Sequence, residues 1–330
     1  MASPYATGVD QLIQDAKDNP AIPIVDKLLN RGDRLLIHGY EETYKSGFAI
    51  ELARGISTGT PFLGELQVPK PLRIGIIETE MRNPGLGERL GKMFPDPKEV
   101  SNLRYLNDAG LNALRRTSDF SKRVGIIDEF LTGEGCEVAI FDSAVDLFSE
   151  NMSPDDEQDV QRYFDELEKI KGVKTTIHIR HDAKPKLGGG DSNKNNLIRG
   201  SSRWKEVPET VIHFSKKGNS HQGVQIEIGK LRYGRKPRPF GMRFDRQSFT
   251  VVPSNPLLWL FKRRREMLSH EELLTEYANR YGLKERTLSK DLSEANSYLD
   301  IRFDGRRRLY TNKAGLHPDF IWRYQDDEDE

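Results

Sequence analysis

Arg34-Leu35-Leu36-Ile37-His38-Gly39-Tyr40-Glu41-Glu42-Thr43-Tyr44-Lys45-Ser46-Gly47 decides how the rest of this chain is read. Leu35 to Ile37 is a short apolar run of the kind a buried strand carries, and it closes on Gly39. Phe48 to Ala53 then has helical texture. Between the two, Gly39 to Ser46 fits the phosphate-binding pattern G-x-x-x-x-G-K-[ST] except at its second glycine, where Tyr44 stands. In such a turn, backbone N–H groups and a helix N-terminus surround the phosphates, the lysine reaches the β and γ oxygens, and the hydroxyl holds Mg²⁺. A side chain at the second glycine limits the dihedral angles open to the loop. An ordinary strand-to-helix turn with a chance Lys-Ser is the plain alternative. The candidate nucleotide-binding residues are Gly39, Tyr40, Glu41, Glu42, Thr43, Tyr44, Lys45, Ser46 and Gly47.

The neighbouring segments weigh on that choice. A second apolar run, Leu72 to Ile77, ends in Glu78-Thr79-Glu80; a third, Val138 to Phe141, ends in Asp142. Asp155 to Ile170 has helical spacing, and Lys174 to Ile179 is a fourth strand. Strands alternating with helices imply right-handed crossovers and an α/β fold with a mainly parallel sheet covered on both faces. Such sheets bind ligands at the carboxyl edge, where Asp142 would orient Mg²⁺ and an acid at 78–80 would polarise water as general base. Each acid alone is more often a plain strand-end cap. Together with the loop they form a set.

The chain has 330 residues, with 51 Lys plus Arg against 51 Asp plus Glu. Zero net charge excludes binding of nucleic acid through bulk charge, so any such contact comes from local patches. Runs such as Ile74 to Ile77 are far too short to cross a bilayer, which takes roughly 20 apolar residues. The N-terminus lacks a secretory signal pattern. Cys136 is the single cysteine, which excludes disulfide scaffolds and cysteine-rich zinc sites and fits a reducing, cytoplasmic setting.

The organisation reads as a lead-in helix and linker over residues 1–30, a nucleotide-binding domain over 31–253, a small domain over 256–325 and an acidic tail over 326–330. Val211 to Phe214, Gln225 to Ile228 and Phe240 to Val252 read as further strands. Ala183 to Asn196, rich in Gly, Lys and Asn, is a functional loop or an idle surface connection.

In this order the motifs resemble the RecA-like ATPases of the hexameric-helicase kind, especially plasmid RepA-type proteins and phage or mobile-element relatives. Six features carry the resemblance: Arg31 to Ile37 before the loop; the loop itself, since some members have an aromatic residue before the lysine; Ile76-Ile77-Glu78-Thr79-Glu80-Met81; Phe141-Asp142; Ile177 to His181 with Arg199-Gly200-Ser201-Ser202; and Lys230-Leu231-Arg232-Tyr233-Gly234. They span about residues 25 to 253. The resemblance implies a RecA-like P-loop core that hydrolyses ATP with Mg²⁺ held by Ser46 and Asp142. It makes Glu80 rather than Glu78 the base and His181 the γ-phosphate sensor. Lys230 and Arg232 would reach a neighbouring subunit's site in a ring, a hexamer as the resemblance implies. Lys184, Lys186 and Lys194 would face single-stranded DNA in the pore. Solvent-facing basic residues and a satisfied strand-end histidine are the plain alternatives.

Past Pro256 the texture is helical again. Met267 to Tyr281 carries an N-cap-like Ser269, Ser289 to Leu299 reads as a second helix, and Ile301 to Tyr310 alternates around Asp304-Gly305 as a hairpin. Helix, turn, helix, hairpin resembles a winged helix. Residues 256–325 hold 14 Lys and Arg against 10 Asp and Glu. Arg286 and Lys290 at the second helix, and Arg306, Arg307 and Arg308 on the wing, are the candidate contacts to duplex or fork DNA; a protein-docking module is the other option. The leading expectation is a ring-forming, helicase-like DNA motor. The alternatives are an ATP-switched DNA-binding regulator or loader, and a DNA-binding initiator whose phosphate loop has decayed at Tyr44.

Overall fold

Leu35, Leu36 and Ile37 are all fully buried, which a strand with one wet face does not allow. The computed structural model describes residues 6–63, 65–81, 83–182, 201–216, 223–245, 250–253, 257, 267–281, 284–296 and 299–312. Its first half runs α1 (Val9–Asp18), β1 (Pro23–Val25), β2 (Leu29–Asn30), β3 (Arg34–Gly39), α2 (Lys45–Thr58), β4 (Ile74–Glu78), α3 (Asn83–Met93), β5 (Leu103–Tyr105), α4 (Asp108–Arg116), α5 (Phe120–Gly133) and β6 (Val138–Asp142). Next come α6 (Glu157–Leu167), β7 (Thr175–His181), α7 (Arg203–Glu206), β8 (Thr210–Lys216), β9 (Gly223–Leu231), β10 (Phe240–Asp245) and β11 (Thr250–Pro253). The chain then forms β12 (Leu268–Ser269), α8 (His270–Glu276), α9 (Glu285–Glu294), β13 (Leu299–Asp304) and β14 (Arg307–Asn312).

The main sheet has nine strands in the order β11-β10-β9-β8-β3-β7-β6-β4-β5. The six from β8 to β5 are parallel, and β9, β10 and β11 extend the sheet antiparallel. Alternate residues feed two cores. Leu35, Ile37, Ile74, Ile76, Val138 and Ile140 pack under α2 on one face. Leu36, Ile77, Ala139 and Phe141 pack with α5 and α6 on the other. Both faces of the central strands are thus dry, which is why those strands read as unbroken apolar runs.

Four features differ from the sequence reading. The stretch 240–252 is two strands, because Asp245 pairs with Thr250 and the chain turns back on itself. The helix expected over 289–299 is α9, which begins at Glu285 and ends at Glu294; Leu288, Leu292 and Ala295 form its packed stripe, and Leu299 opens β13 opposite Asn312. Residues 23–30 do not behave as a linker, since Ile24, Val25, Leu28 and Leu29 are buried in the α2-side core. The strand β5 and the helices α3, α4 and α5 have no counterpart in the sequence reading. The acidic tail and the loop 183–196 lie outside the described residues.

A separate cluster holds the C-terminal elements together, with Leu268, Leu273, Tyr277, Leu288 and Tyr310 among its members. Ser269 caps α8 through a full capping box with Glu272, as its N-cap-like position suggested. The strands β12, β14 and β13 form a three-stranded antiparallel sheet, turning at Gly305 with φ +60°.

Candidate active site

Gly39 ends β3 against its neighbour strand so closely that a Cβ would stand 2.3 Å from the Phe214 carbonyl oxygen. Glycine is therefore required where the phosphate turn begins. At the other end of the turn, Tyr44 precedes α2 with φ 61° and ψ 26°. This is the left-handed backbone that a glycine would supply. The tyrosine adopts it at a cost of roughly 1–2 kcal/mol, and its ring stacks on Phe244 of β10 with centroids 4.5 Å apart and planes 7° from parallel. Such a stack is worth about 0.5–1.5 kcal/mol, so it offsets much of the strain. The aromatic residue leaves the turn's shape intact.

Lys45 is buried and folded into the turn. Its Nζ donates to the carbonyl oxygens of Gly39 (3.0 Å) and Tyr40 (2.7 Å) and lies 3.1 Å from His181 Nδ1. Burial lowers its pKa to about 8, although Asp182, Asp142 and Glu80 pull the other way. His181 Nε2 stands 2.9 Å from Glu80 Oε1. Lys45, His181 and Glu80 thus form one continuous polar chain from the turn to the end of β4. The hydrogen bond from His181 holds the Glu80 carboxyl below the usual carboxylate range, so Glu80 is ionised and able to accept a proton.

Glu78 serves a different purpose. Its Oε1 accepts from the backbone N–H groups of Glu80 (2.9 Å) and Met81 (3.0 Å), fixing the bend that points Glu80 into the site. Burial raises the Glu78 carboxyl, and Asp142 nearby adds to the effect. Asp142 is itself raised by burial, while the Ser46 hydroxyl donates to it. The remaining Asp142 oxygen, Oδ1, is buried without a hydrogen-bond partner. An unsatisfied buried carboxylate oxygen beside a hydroxyl is the donor set a hard cation needs, so Ser46 and Asp142 fit Mg²⁺.

The turn, Glu80 and His181 line a cleft of about 600 Å³ that runs from Thr43–Gly47 to α3 and Phe244, with Glu78 and Asp142 buried behind it. That volume suits a nucleotide. Arg89 and Lys92 line it from α3 and were missed in the sequence, where their spacing of three on a helix behind β4 was the only available signal. Phe244 was missed as well, because only the fold brings β10 to the turn.

Lys230 and Arg232 are not in this cleft. β9 runs antiparallel to β8, with Lys230 opposite Val211 and Leu231 opposite Thr210, whereas Gly39 lies opposite Phe214. The two cations therefore sit at the sheet edge opposite the phosphate turn. Within the chain, Lys230 Nζ donates to the carbonyls of Lys205 (3.1 Å) and Glu206 (2.5 Å), and Arg232 lies 3.5 Å from Glu209. Lys184, Lys186 and Lys194 lie outside the described residues. Arg286 and Lys290 share one face of α9, four residues apart. Arg306, Arg307 and Arg308 follow the Gly305 turn and line a groove of about 610 Å³ with the start of α8.

Against known proteins, a model described as an AAA domain matches residues 6–186. The chain belongs to the AAA domain family. The AAA domain segment contains the phosphate turn, Glu80, Asp142 and His181, and also α1, which the sequence reading had set apart as a lead-in. Membership and turn together identify a P-loop ATPase fold with a mainly parallel sheet. Among solved structures, a KaiC-like protein from the hyperthermophilic archaeon Pyrococcus horikoshii OT3 matches at 15% identity and a TM-score of 0.45, covering 71% of this chain and 96% of that one. The flagellar accessory protein FlaH from Methanocaldococcus jannaschii matches at 18% identity and a TM-score of 0.46, covering 76% and 97%. No curated protein matches the AAA domain chain. No helix among the described residues is long and apolar enough to cross a membrane.

Proposed function

We propose that this AAA domain protein hydrolyses ATP at sites shared between copies in a ring, and that turnover drives a helicase-like motor on DNA in plasmid, phage or mobile-element replication. One observation supports the shared-site reading: Lys230 and Arg232 lie at the sheet edge away from their own cleft, so a nucleotide they contacted would be one held by a neighbouring copy. A cation supplied in trans accelerates phosphoryl transfer by roughly 10³–10⁵. The exposed apolar stripe of α1, with Val9, Leu12 and Ile13 all more than half exposed, offers a second surface for assembly. The three arginines at the C-terminal hairpin and the Arg286–Lys290 face support a DNA contact.

On ATP binding, the Lys45 ammonium exchanges its two carbonyl acceptors for phosphate oxygens, and the turn amides take the rest. Ser46 and Asp142 would hold Mg²⁺, which supplies charge neutralisation of the phosphate oxygens. Glu80, kept ionised by His181, accepts the proton of the attacking water. His181 reports phosphate occupancy because it already spans Lys45 and Glu80.

The test is ATP turnover against protein concentration, with and without single-stranded DNA, for wild type, Lys45→Ala and Arg232→Ala. The expected result is a more-than-linear rise for wild type, loss in both variants, and partial recovery when the two variants are mixed. Strictly linear turnover that survives Arg232→Ala would overturn the shared site, and turnover indifferent to DNA would overturn the motor.

A further inference from the structure

Three adjacent strands bring a second constellation to the same carboxyl edge. His38 on β3 and His213 on β8 are direct partners in the parallel register, so their side chains share one face. Asp182 follows β7 and is tied to the site backbone, its N–H donating to the Gly39 carbonyl at 2.9 Å. His38 Nδ1 lies 3.0 Å from Asp182 Oδ2, and His213 Nε2 lies 3.9 Å from that oxygen. One ligand atom from each of the three falls within 4.8 Å of the others. Asp182 is fully buried, His38 nearly so, and His213 is 16% exposed at the side-chain level.

This trio is one partner short. His213 Nε2 is buried with no hydrogen bond, a deficit that favours a partner filling it. Water or an ion could fill it, and the donor set selects between them. Two imidazole nitrogens and a carboxylate oxygen are ligands for zinc-class divalent ions, whereas Mg²⁺ takes oxygens. Bonds of about 2.0–2.1 Å place tetrahedral ligands about 3.4 Å apart. The 3.0 and 3.9 Å separations from Asp182 bracket that value, and the three ligand atoms, all within 4.8 Å of one another, close on an ion by rotation of the imidazole rings.

The surroundings carry both signs of charge, with Lys205 acting on His213 and Asp182 as a competing cation. Glu227 on β9 lies directly opposite His213 and supplies a nearby negative charge. Arg180, opposite His38 on β7, directs its guanidinium over the Trp204 ring and to Asp155 at 3.2 Å. We propose that His38, Asp182 and His213 form a binding site for a zinc-class divalent metal ion, with water in the fourth position, distinct from the Ser46–Asp142 pair. Occupancy pins the end of β7 to β3 and β8 at the residue after His181. The inference does not depend on ATP turnover.

The test uses the full chain, stripped with a chelator and titrated with Co²⁺ alone, without nucleotide or Mg²⁺. The expected result is one Co²⁺ per chain with the strong visible absorption of tetrahedral coordination, displaced by Zn²⁺. His213→Asn and Asp182→Asn should each weaken binding at least about tenfold, while Ser46→Ala retains the bands. Absent bands, or bands that persist in both ligand variants, would overturn the site. Should a variant fail to fold, the wild-type thermal midpoint decides: Zn²⁺ well above its dissociation constant must raise it, and no rise would overturn the proposal.

Discussion

Two buried basic side chains show how the same physics serves opposite ends. Burial drives the Lys45 pKa down to about 8, so its charge is expensive until phosphate oxygens replace the carbonyls that now satisfy it. His178, in the middle of β7, is driven further, to about 3, by complete burial. Its two ring nitrogens lie 2.9 Å from the Tyr163 hydroxyl and 2.8 Å from the Thr176 hydroxyl. Each hydroxyl can donate or accept, so they match the one donor and one acceptor of a neutral imidazole. The unfolded chain binds a proton at His178 below about pH 6.5, while the folded chain does not until about pH 3. The contribution is therefore complete above pH 6.5 and is lost as pH falls toward 3. Urea unfolding between pH 6.5 and 5 should show a wild-type stability slope steeper than that of His178→Gln by up to about 1.4 kcal/mol per pH unit. Equal slopes for the two proteins would contradict the neutral, buried assignment.

At the scale of elements, the phosphate turn joins β3 to α2 through backbone angles that two different devices secure. Gly39 is fixed by the approach of Phe214, and Tyr44 by its stack on Phe244. The left-handed conformation at Tyr44 favours glycine over any residue with a Cβ. Tyr44→Gly should consequently remain within about 1 kcal/mol of wild type, since lost stacking and relieved strain are of similar size. Tyr44→Ala keeps the strain and loses the ring, so it should be less stable than the glycine variant by about 1 kcal/mol. Urea midpoints for the three proteins provide the check, and an alanine variant as stable as the glycine one would show that the turn has another shape. The stack also ties β10, late in the chain, to a helix near its start.

For the whole molecule, the proposed shared site asks which surfaces could receive a second copy. The main sheet buries both faces, yet α1 has no buried residue and turns Val9, Leu12 and Ile13 outward. Lone exposed apolar residues are ordinary; three on one helix face are not. If this face and the Lys230–Arg232 edge are parts of one assembly contact, Leu12→Glu with Ile13→Glu should leave the thermal midpoint of the chain nearly unchanged. The same double substitution should shift light-scattering mass toward the monomer and lower turnover per chain several-fold at low concentration. Unaltered mass and turnover would remove α1 from the contact.

The sequence alone determined the central strands, the phosphate turn and the acids at strand ends. Each is written in local chemistry: apolar runs that must be dry on both faces, a Gly-to-Ser spacing, and a carboxylate where a buried strand meets water. Residue chemistry also named Asp142, while the choice of Glu80 and the role of His181 came from the family resemblance, without any means of showing that the three converge. Tertiary structure decided the rest, because the deciding contacts join residues far apart in the chain. Tyr44 reads as a defect until Phe244, 200 positions later, is laid against it. Glu78 and Glu80 are equivalent on paper, and only the fold turns one toward backbone amides and the other toward His181. Residues 23–30 look like a linker because their burial comes from elements downstream. The His38–Asp182–His213 trio has no sequence spacing to recognise, since strand order, not chain order, makes those three residues neighbours.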